Sequence, residues 1–241
     1  MTTSSLWLAA TVVETRQATA HGRILRLRVH GWPGNLAGQH VDVRLTAEDG
    51  YQAVRSYSLA SAGGSDLLEL AVDEVPDGEV SPYVVEDVRP GDELEVRGPI
   101  GAYFVWTPDR PEPVQLIAGG SGIVPLLAMA REHALVASGA PMRLLYSVRT
   151  ADDAFYADEL SALSDETFTL DWAYTRSSPA GVARPAGRVD AATITASTIP
   201  VSQNPAVYVC GPTGFVEAVA DLLVSAGHSP DRIRTERFGG A

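Results

Sequence analysis

The stretch that decides the fold is Val114-Gln115-Leu116-Ile117-Ala118-Gly119-Gly120-Ser121-Gly122-Ile123-Val124-Pro125. An apolar run, Val114–Ala118, reads as a strand covered on both faces. Gly119–Gly122 then turns the chain into an apolar-periodic helix expected from Ile123 to Ala137. Strand, glycine turn and helix in that order are the opening of a parallel α/β unit. The pattern continues with strand Arg143–Val148, a helix near Ala154–Leu163 that Asp152 or Asp153 could cap, and strand Phe168–Tyr174. A Pro/Gly loop, Ser177–Gly187, precedes strand Ala206–Cys210, helix Phe215–Ala226 and a last strand near Ile233–Phe238. The expectation is a parallel five-stranded sheet with helices on both faces.

Upstream of this stretch the grammar differs. Leu6–Gln17, Gly22–His30, His40–Thr46, Val54–Ala60, Leu67–Asp73 and Asp92–Arg97 are short runs rich in Val, Leu and Ile. They are separated by turn residues such as Gly31–Gly34, Gly63–Asp66 and Pro90-Gly91. In Ile24–Val29 the residues Leu25, Leu27 and Val29 share one face and Arg26 and Arg28 the other. Six such runs predict a six-stranded antiparallel barrel. One helix is expected there, Pro82–Val88, with Ser81 as its N-cap and proline at its first position. Three prolines within Thr107–Pro113 mark the hinge, which divides the chain into residues 1–108 and 109–241.

The chain of 241 residues carries 18 basic side chains, all Arg, against 30 acids, a net charge of −12. The charge is spread over both halves, −7 and −5. That balance argues against a nucleic-acid partner, because a phosphate backbone is held mainly by positive charge. It also means that an anionic ligand must be met by local Arg placement. A single cysteine, Cys210, excludes a disulfide framework, a multi-cysteine zinc site and a four-cysteine iron–sulfur cluster within this chain. No metal site is expected. Leu6–Val13 is too short to span a bilayer and no positive charge precedes it, so a cytoplasmic protein without a membrane anchor is expected.

Several positions carry chemistry. Glycines at 119, 120 and 122 let a backbone approach phosphate, although Pro125 stands where the dinucleotide fingerprint has its third glycine. No acid for a ribose hydroxyl ends the next strand; Arg149 sits there instead. Arg149 and Arg176 end successive strands, and Arg188 follows a loop that could return to the same edge. Ligands of open α/β sheets bind at the carboxyl ends of strands, so these arginines point to an anion. Cys210 ends a buried strand before Gly211-Pro212-Thr213-Gly214; it reads as a pocket wall rather than a nucleophile. In the first half, Arg55-Ser56-Tyr57-Ser58 puts Arg55 and Tyr57 on one side and Ser56 and Ser58 on the other. Asp77-Gly78-Glu79-Val80-Ser81 could grip a pyrophosphate, and Gly98-Pro99-Ile100-Gly101 closes the half with a rigid turn.

Taken in order, Arg55-Ser56-Tyr57-Ser58, Gly78…Ser81, Gly98-Pro99-Ile100-Gly101, Gly119–Pro125 and Cys210-Gly211-Pro212 form a series that resembles the ferredoxin–NADP reductase-like superfamily over nearly the whole chain. Gly38-Gln39 in the third strand also fits. The resemblance implies a flavin-binding barrel and a nicotinamide-binding parallel domain, with FAD held between them. It implies that Arg55 contacts the flavin pyrophosphate, that Tyr57 stacks on the ring system and that Ser58 bonds near its reactive nitrogen. Ser56 and the Gly78, Glu79, Val80, Ser81 segment complete the flavin site. Gly120, Gly122 and Pro125 would line the nucleotide phosphates, with Cys210, Gly211 and Pro212 by the nicotinamide. Arg149 and Arg176, helped by Arg188, resemble the residues with which NADPH-preferring members hold the 2′-phosphate. Glu236 or Phe238 would reach the flavin from the last strand, and Ser58, Cys210 and Glu236 are the residues nearest the reaction.

The expected function is an NADPH-dependent, FAD-containing reductase that serves a separate acceptor: a ferredoxin, a flavodoxin or an oxygenase component. Arg16, Arg26, Arg28, Arg44 and Arg89 are the expected dock, and the reductase is expected to be a monomer. Two other classes compete: a flavin reductase or diaphorase that releases flavin, and a non-catalytic electron-transfer subunit. No general base is needed for hydride transfer, and none of the five histidines falls in a cofactor motif.

Overall fold

The computed structural model describes residues 6–47 and 49–239. Between Trp106 and Thr107 the chain divides into two compact units. The first contains β1 (Leu8–Thr19), β2 (Gly22–Arg28), β3 (His40–Thr46), β4 (Gln52–Ser58), β5 (Leu67–Asp73), α1 (Ser81–Glu86) and β6 (Glu93–Ile100). All its pairings are antiparallel, in the order β4-β3-β6-β1-β2-β5. The two ends of that order meet through an antiparallel bridge, Leu59 with Leu70, and Ala60 donates its N–H to the Glu69 carbonyl at 2.8 Å. The sheet thereby closes into the expected six-stranded barrel.

Alternation fills its interior. Leu25, Leu27 and Val29 are fully buried while Arg26 and Arg28 lie in solvent. They join Val12, Val41, Val43, Leu68, Leu70 and Val96 in one core, with Val80, Val84, Val85 and Val88 from the segment around α1 closing it. Each such side chain contributes about 1.5–3 kcal/mol on leaving water.

Two local expectations are corrected. Ser81 does not cap α1: the capping position is Val80 and no side chain bonds the first turn. The Ser81 hydroxyl accepts instead from the Val75 N–H at 3.0 Å, closing the preceding loop on itself. Gln39 lies just before β3 rather than within it. It is buried, donates to the Gly101 carbonyl at 2.6 Å and accepts from the Leu36 N–H at 2.8 Å.

The second unit contains β7 (Val114–Gly119), α2 (Ile123–Leu135), β8 (Met142–Val148), α3 (Ala157–Leu163), β9 (Phe168–Tyr174), α4 (Ala191–Ser197), β10 (Ala206–Pro212), α5 (Thr213–Ser225) and β11 (Ile233–Phe238). The five strands are parallel, in the order β11-β10-β7-β8-β9. Every residue of β7 is buried, Gln115 included. Its amide is satisfied by donating to the Leu116 and Arg143 carbonyls and accepting from the Ile199 N–H. Residues 123–130 of α2 are all buried, and Arg131 of α2 makes a two-bond pair with Glu159 of α3 at 2.6 and 2.8 Å.

The helix expected from Ala154 begins only at Ala157. Residues 151–153 form a separate 3₁₀ turn, and the Asp153 carboxylate caps that turn through the Thr150 N–H and hydroxyl. Helix α4 was not foreseen. Asp190 caps it by accepting from the Thr193 N–H at 2.8 Å. Among the described residues no helix is long and apolar enough to cross a membrane.

Candidate functional site

In the barrel unit, the register of β3 and β4 decides what each side chain meets. Asp42 stands opposite Ser56, and His40 opposite Ser58. Ser56 donates its hydroxyl to the Asp42 carboxylate at 2.7 Å, and Arg97 reaches the other Asp42 oxygen at 2.6 Å. Burial pushes the Asp42 carboxyl up, but the hydrogen bonds from Ser56 and Arg97 outweigh it and hold the group low. Ser56 is therefore committed to Asp42 and turned away from the face shared by Arg55 and Tyr57.

Tyr57 is half-buried and packs on the barrel core; burial, partly offset by Arg55, pushes its phenol up to about 12. The ring is therefore neutral at any physiological pH. Arg55 is exposed and reaches the Glu79 carboxylate at 2.5 Å, while Tyr51 donates to the other Glu79 oxygen at 2.7 Å. These two hydrogen bonds hold the Glu79 carboxyl low. The structure thus brings Arg55 and the Gly78–Ser81 segment together, and a carboxylate occupies the guanidinium where an oxyanion of a ligand would sit. Arg55 supplies the charge and donor type that a diphosphate needs, with Glu79 as the competitor for it. At Gly78 a side chain would lie 2.9 Å from the Val75 carbonyl oxygen, so the tightness of this loop requires glycine.

His40 lies outside every motif read from the sequence. It is half-buried opposite Ser58, and burial depresses its imidazole, with Asp42 pulling the other way. Only the strand register brings it to Ser58.

In the parallel unit, Gly120–Gly122 forms a 3₁₀ turn between β7 and α2. A Cβ on Gly122 would overlap the Cys210 carbonyl, so the glycine turn lies directly against the end of β10. Pro125 follows in the buried first turn of α2. A Cβ at Gly119 or at Gly211 would strike the Phe215 ring, at 2.6 and 2.8 Å. Gly120 has φ +56° and open space on its side-chain side. The expected phosphate turn and the Cys210-Gly211-Pro212 end are thus packed directly against each other.

Cys210 is 1% exposed and pairs in register with Ala118 on one side and Glu236 on the other. Burial first, then the Glu236 charge, raises its thiol well above 9.0, so it is protonated and no nucleophile. Pro212 pairs with Phe238. Glu236 and Phe238 are two apart on one strand and so face the same way.

At the other side of this sheet, Arg176 donates its N–H to the Arg149 carbonyl at 2.9 Å, which makes the two residues immediate neighbours. Gly187 donates to the Tyr174 carbonyl at 2.9 Å, so the loop does fold back to the end of β9 and delivers Arg188 there. All three arginines are exposed, and among the described residues none forms an ion pair. The barrel arginines differ. Arg44 is paired with Glu95 at 2.5 Å and lies over the Trp7 ring, Arg26 lies near Glu14 and Glu69, and Arg89 bonds the Glu86 and Val88 carbonyls. Three of the five expected docking cations are therefore already engaged.

Residues 9–105 match the family model for the oxidoreductase FAD-binding domain, and residues 116–221 the model for the oxidoreductase NAD-binding domain. Methane monooxygenase component C of Methylosinus trichosporium is 33% identical over 55% of this chain and 38% of its own length. The ferredoxin–NAD(P)(+) reductase component of the naphthalene 1,2-dioxygenase/salicylate 5-hydroxylase systems of a Ralstonia species is 29% identical over 95% of this chain and 68% of its own. The chain thus spans well under two thirds of the first relative and just over two thirds of the second. Among solved structures, the FAD/NAD-binding domain of nitric oxide dioxygenase from Vibrio cholerae O1 biovar El Tor superposes with a TM-score of 0.86 at 25% identity, covering 97% of this chain and 99% of that one. A closed antiparallel barrel with an arginine-bearing fourth strand, followed by a parallel sheet with a glycine turn, is matched in both halves by these models, and the chain belongs to the ferredoxin–NADP reductase-like superfamily of FAD- and nicotinamide-nucleotide-binding oxidoreductases.

Proposed function

We propose that the chain is an NADPH-preferring flavoprotein reductase that passes electrons to a separate acceptor protein: a ferredoxin, a flavodoxin or an oxygenase component. The flavin part is residues 1–108 and the nucleotide part residues 109–241. The observation that carries the nucleotide preference is the pair Arg149 and Arg176, adjacent through a 2.9 Å backbone bond and with no acid on either guanidinium among the described residues. Two exposed, unneutralised guanidiniums that start from adjacent main chain suit a dianionic phosphate. The acceptor class is supported by relatives named as reductase components of oxygenase systems. A cytoplasmic location completes this reading.

Arg55 and the main chain of Gly78–Ser81 would hold the FAD diphosphate, and Tyr57 and Ser58 its ring. When bound, the flavin supplies the two-electron to one-electron conversion that such a reductase needs. The residues themselves do no bond chemistry. Tyr57, neutral throughout the working pH range, offers an uncharged face. Ser58 offers a hydroxyl donor, and the wedged Gly122 and Gly211 let the nucleotide lie close to main chain. Cys210 and Glu236 form the wall beside the nicotinamide, where the shielded thiol excludes water from that side. Positioning is the whole contribution.

A second reading, in which flavin is a released substrate, is favoured by one observation: the Glu79 carboxylate sits on the guanidinium that would grip the diphosphate. Anaerobic titration of the purified protein with NADPH and with NADH, followed at the flavin absorbance, tests the first reading. Stoichiometric bleaching by NADPH, with a larger excess of NADH required, is expected; no bleaching by either nucleotide rejects it. Flavin lost on gel filtration would move the assignment to the second reading.

A further inference from the structure

Arg184 stands outside every motif singled out from the sequence, yet it organises the loop between β9 and α4. Its Nη2 donates to two main-chain carbonyls, Gly187 at 3.3 Å and Arg188 at 2.9 Å. Its Nε donates to the Thr193 hydroxyl at 3.1 Å. Thr193 in turn donates that hydroxyl to Asp190 at 2.6 Å, and Asp190 caps α4. One guanidinium therefore ties the end of the loop to the start of a helix. Gly187 is meanwhile tied to the end of β9 through Tyr174. Arg188 is held from both sides at the edge where Arg149 and Arg176 stand.

The choice of an arginine for this task is informative. Its donors go to carbonyls and a hydroxyl, and it makes no ion pair among the described residues. Nη1 is buried with no hydrogen-bond partner. A neutral donor could tie the loop with less desolvation cost. What a guanidinium adds is a fork that reaches two carbonyls and a hydroxyl at once, with a charge that, after the Thr193 hydrogen bonds, also helps to hold the Asp190 carboxyl low.

We propose that Arg184 is a positioning residue for nucleotide selection, which fixes the Arg188 main chain at the site that receives the 2′-phosphate of NADPH. This rests on the reading of Arg149, Arg176 and Arg188 given above.

The test uses the full chain with its flavin. KM is measured for NADPH and NADH, and the dissociation constants of adenosine 2′-monophosphate and adenosine 5′-monophosphate are measured by calorimetry. R184M is expected to raise KM for NADPH and weaken 2′-monophosphate binding by roughly tenfold, the size of one lost charge-assisted contact, with NADH changed less than about twofold. R184K, which keeps a donor for one carbonyl but not the fork, restores part of the difference. T193V removes the Nε acceptor at nearly constant volume and shifts the same ratio by about threefold, as one hydrogen bond would; it carries the test if R184M does not accumulate. Equal effects on both nucleotides, or none, in these variants while R176D remains selective overturn the role of Arg184 and leave the arginine site standing. If the parent protein binds the 2′-monophosphate no better than the 5′-monophosphate, the arginine site and the role of Arg184 fall together.

Discussion

The main chain of Arg176 is hydrogen-bonded to that of Arg149 at 2.9 Å, so two cationic side chains start from adjacent points at the ends of β8 and β9. Neighbouring strand ends of a parallel sheet are where anions bind, and here neither guanidinium is neutralised by an acid among the described residues. Charge set in that way is tolerated because the groups are exposed, and it is available to a ligand at little desolvation cost.

Arg176→Asp is expected to weaken NADPH far more than NADH. A lost guanidinium–phosphate contact costs about 2–3 kcal/mol, roughly 30- to 150-fold in affinity. The ratio of kcat/KM for the two nucleotides reads it directly. An equal loss for both would show that Arg176 does not meet the 2′-phosphate.

Glu79→Gln is expected to tighten FAD binding several-fold, because it removes the carboxylate that competes for Arg55 and repels a diphosphate. Arg55→Ala moves the dissociation constant the other way. Fluorescence titration of deflavinated protein with FAD measures both. A weaker complex with Glu79→Gln would mean that Glu79 assists the flavin rather than opposing it.

Gly122→Ala places a methyl group onto the Cys210 carbonyl, and main chain cannot swing aside as a side chain can. Overpacking of this kind costs about 1–3 kcal/mol. For a chain of this size the melting temperature should fall by about 2–4 °C per kcal/mol, and nucleotide affinity should fall with it. Gly120→Ala, where space is open but φ is +56°, separates backbone strain from overlap.

Alkaline stability should depend on Cys210. Its thiol is raised above 9.0 in the folded chain by burial and by Glu236, so the unfolded chain releases this proton first. The stabilisation is complete below the ordinary thiol value and is lost as pH rises towards the folded one. Tyr57, raised to about 12, extends the same trend at still higher pH. Urea unfolding from pH 7 to 10.5 should show the decline beginning near pH 9 in the parent, and a flatter profile in Cys210→Ala. Identical profiles would remove Cys210 from the explanation.

The parallel sheet was legible because its strands are unbroken apolar runs: β8, β9 and β11 lie within a residue of the stretches read for them. The barrel was legible through alternation, as in β2, where Leu25 and Leu27 are buried and Arg26 and Arg28 exposed. Helix α4 escaped because Ala191–Ser197 contains Thr193, Ile194 and Thr195, which favour strands, and is short. Of the site, Arg55, Tyr57 and the strand-end arginines followed from local pattern. The pairing of Ser56 with Asp42, the facing of His40 and Ser58, and the grip of Glu79 on Arg55 did not. Those depend on cross-strand register and on which loop returns to which strand, and neither is written in a local window. Ser81 shows the same limit: its type and position suit a helix cap, but Val75 claims its hydroxyl.

The Phe215 ring fills the room left by two absent side chains, at Gly119 and Gly211. It acts as a keystone between the adjacent ends of β7 and β10, where the glycine turn begins. The arginines that would choose between nucleotides hang on the rim, beyond that keystone. Coenzyme choice can therefore be rewritten at the rim by evolution or by design, while Phe215 and its two glycines stay as they are.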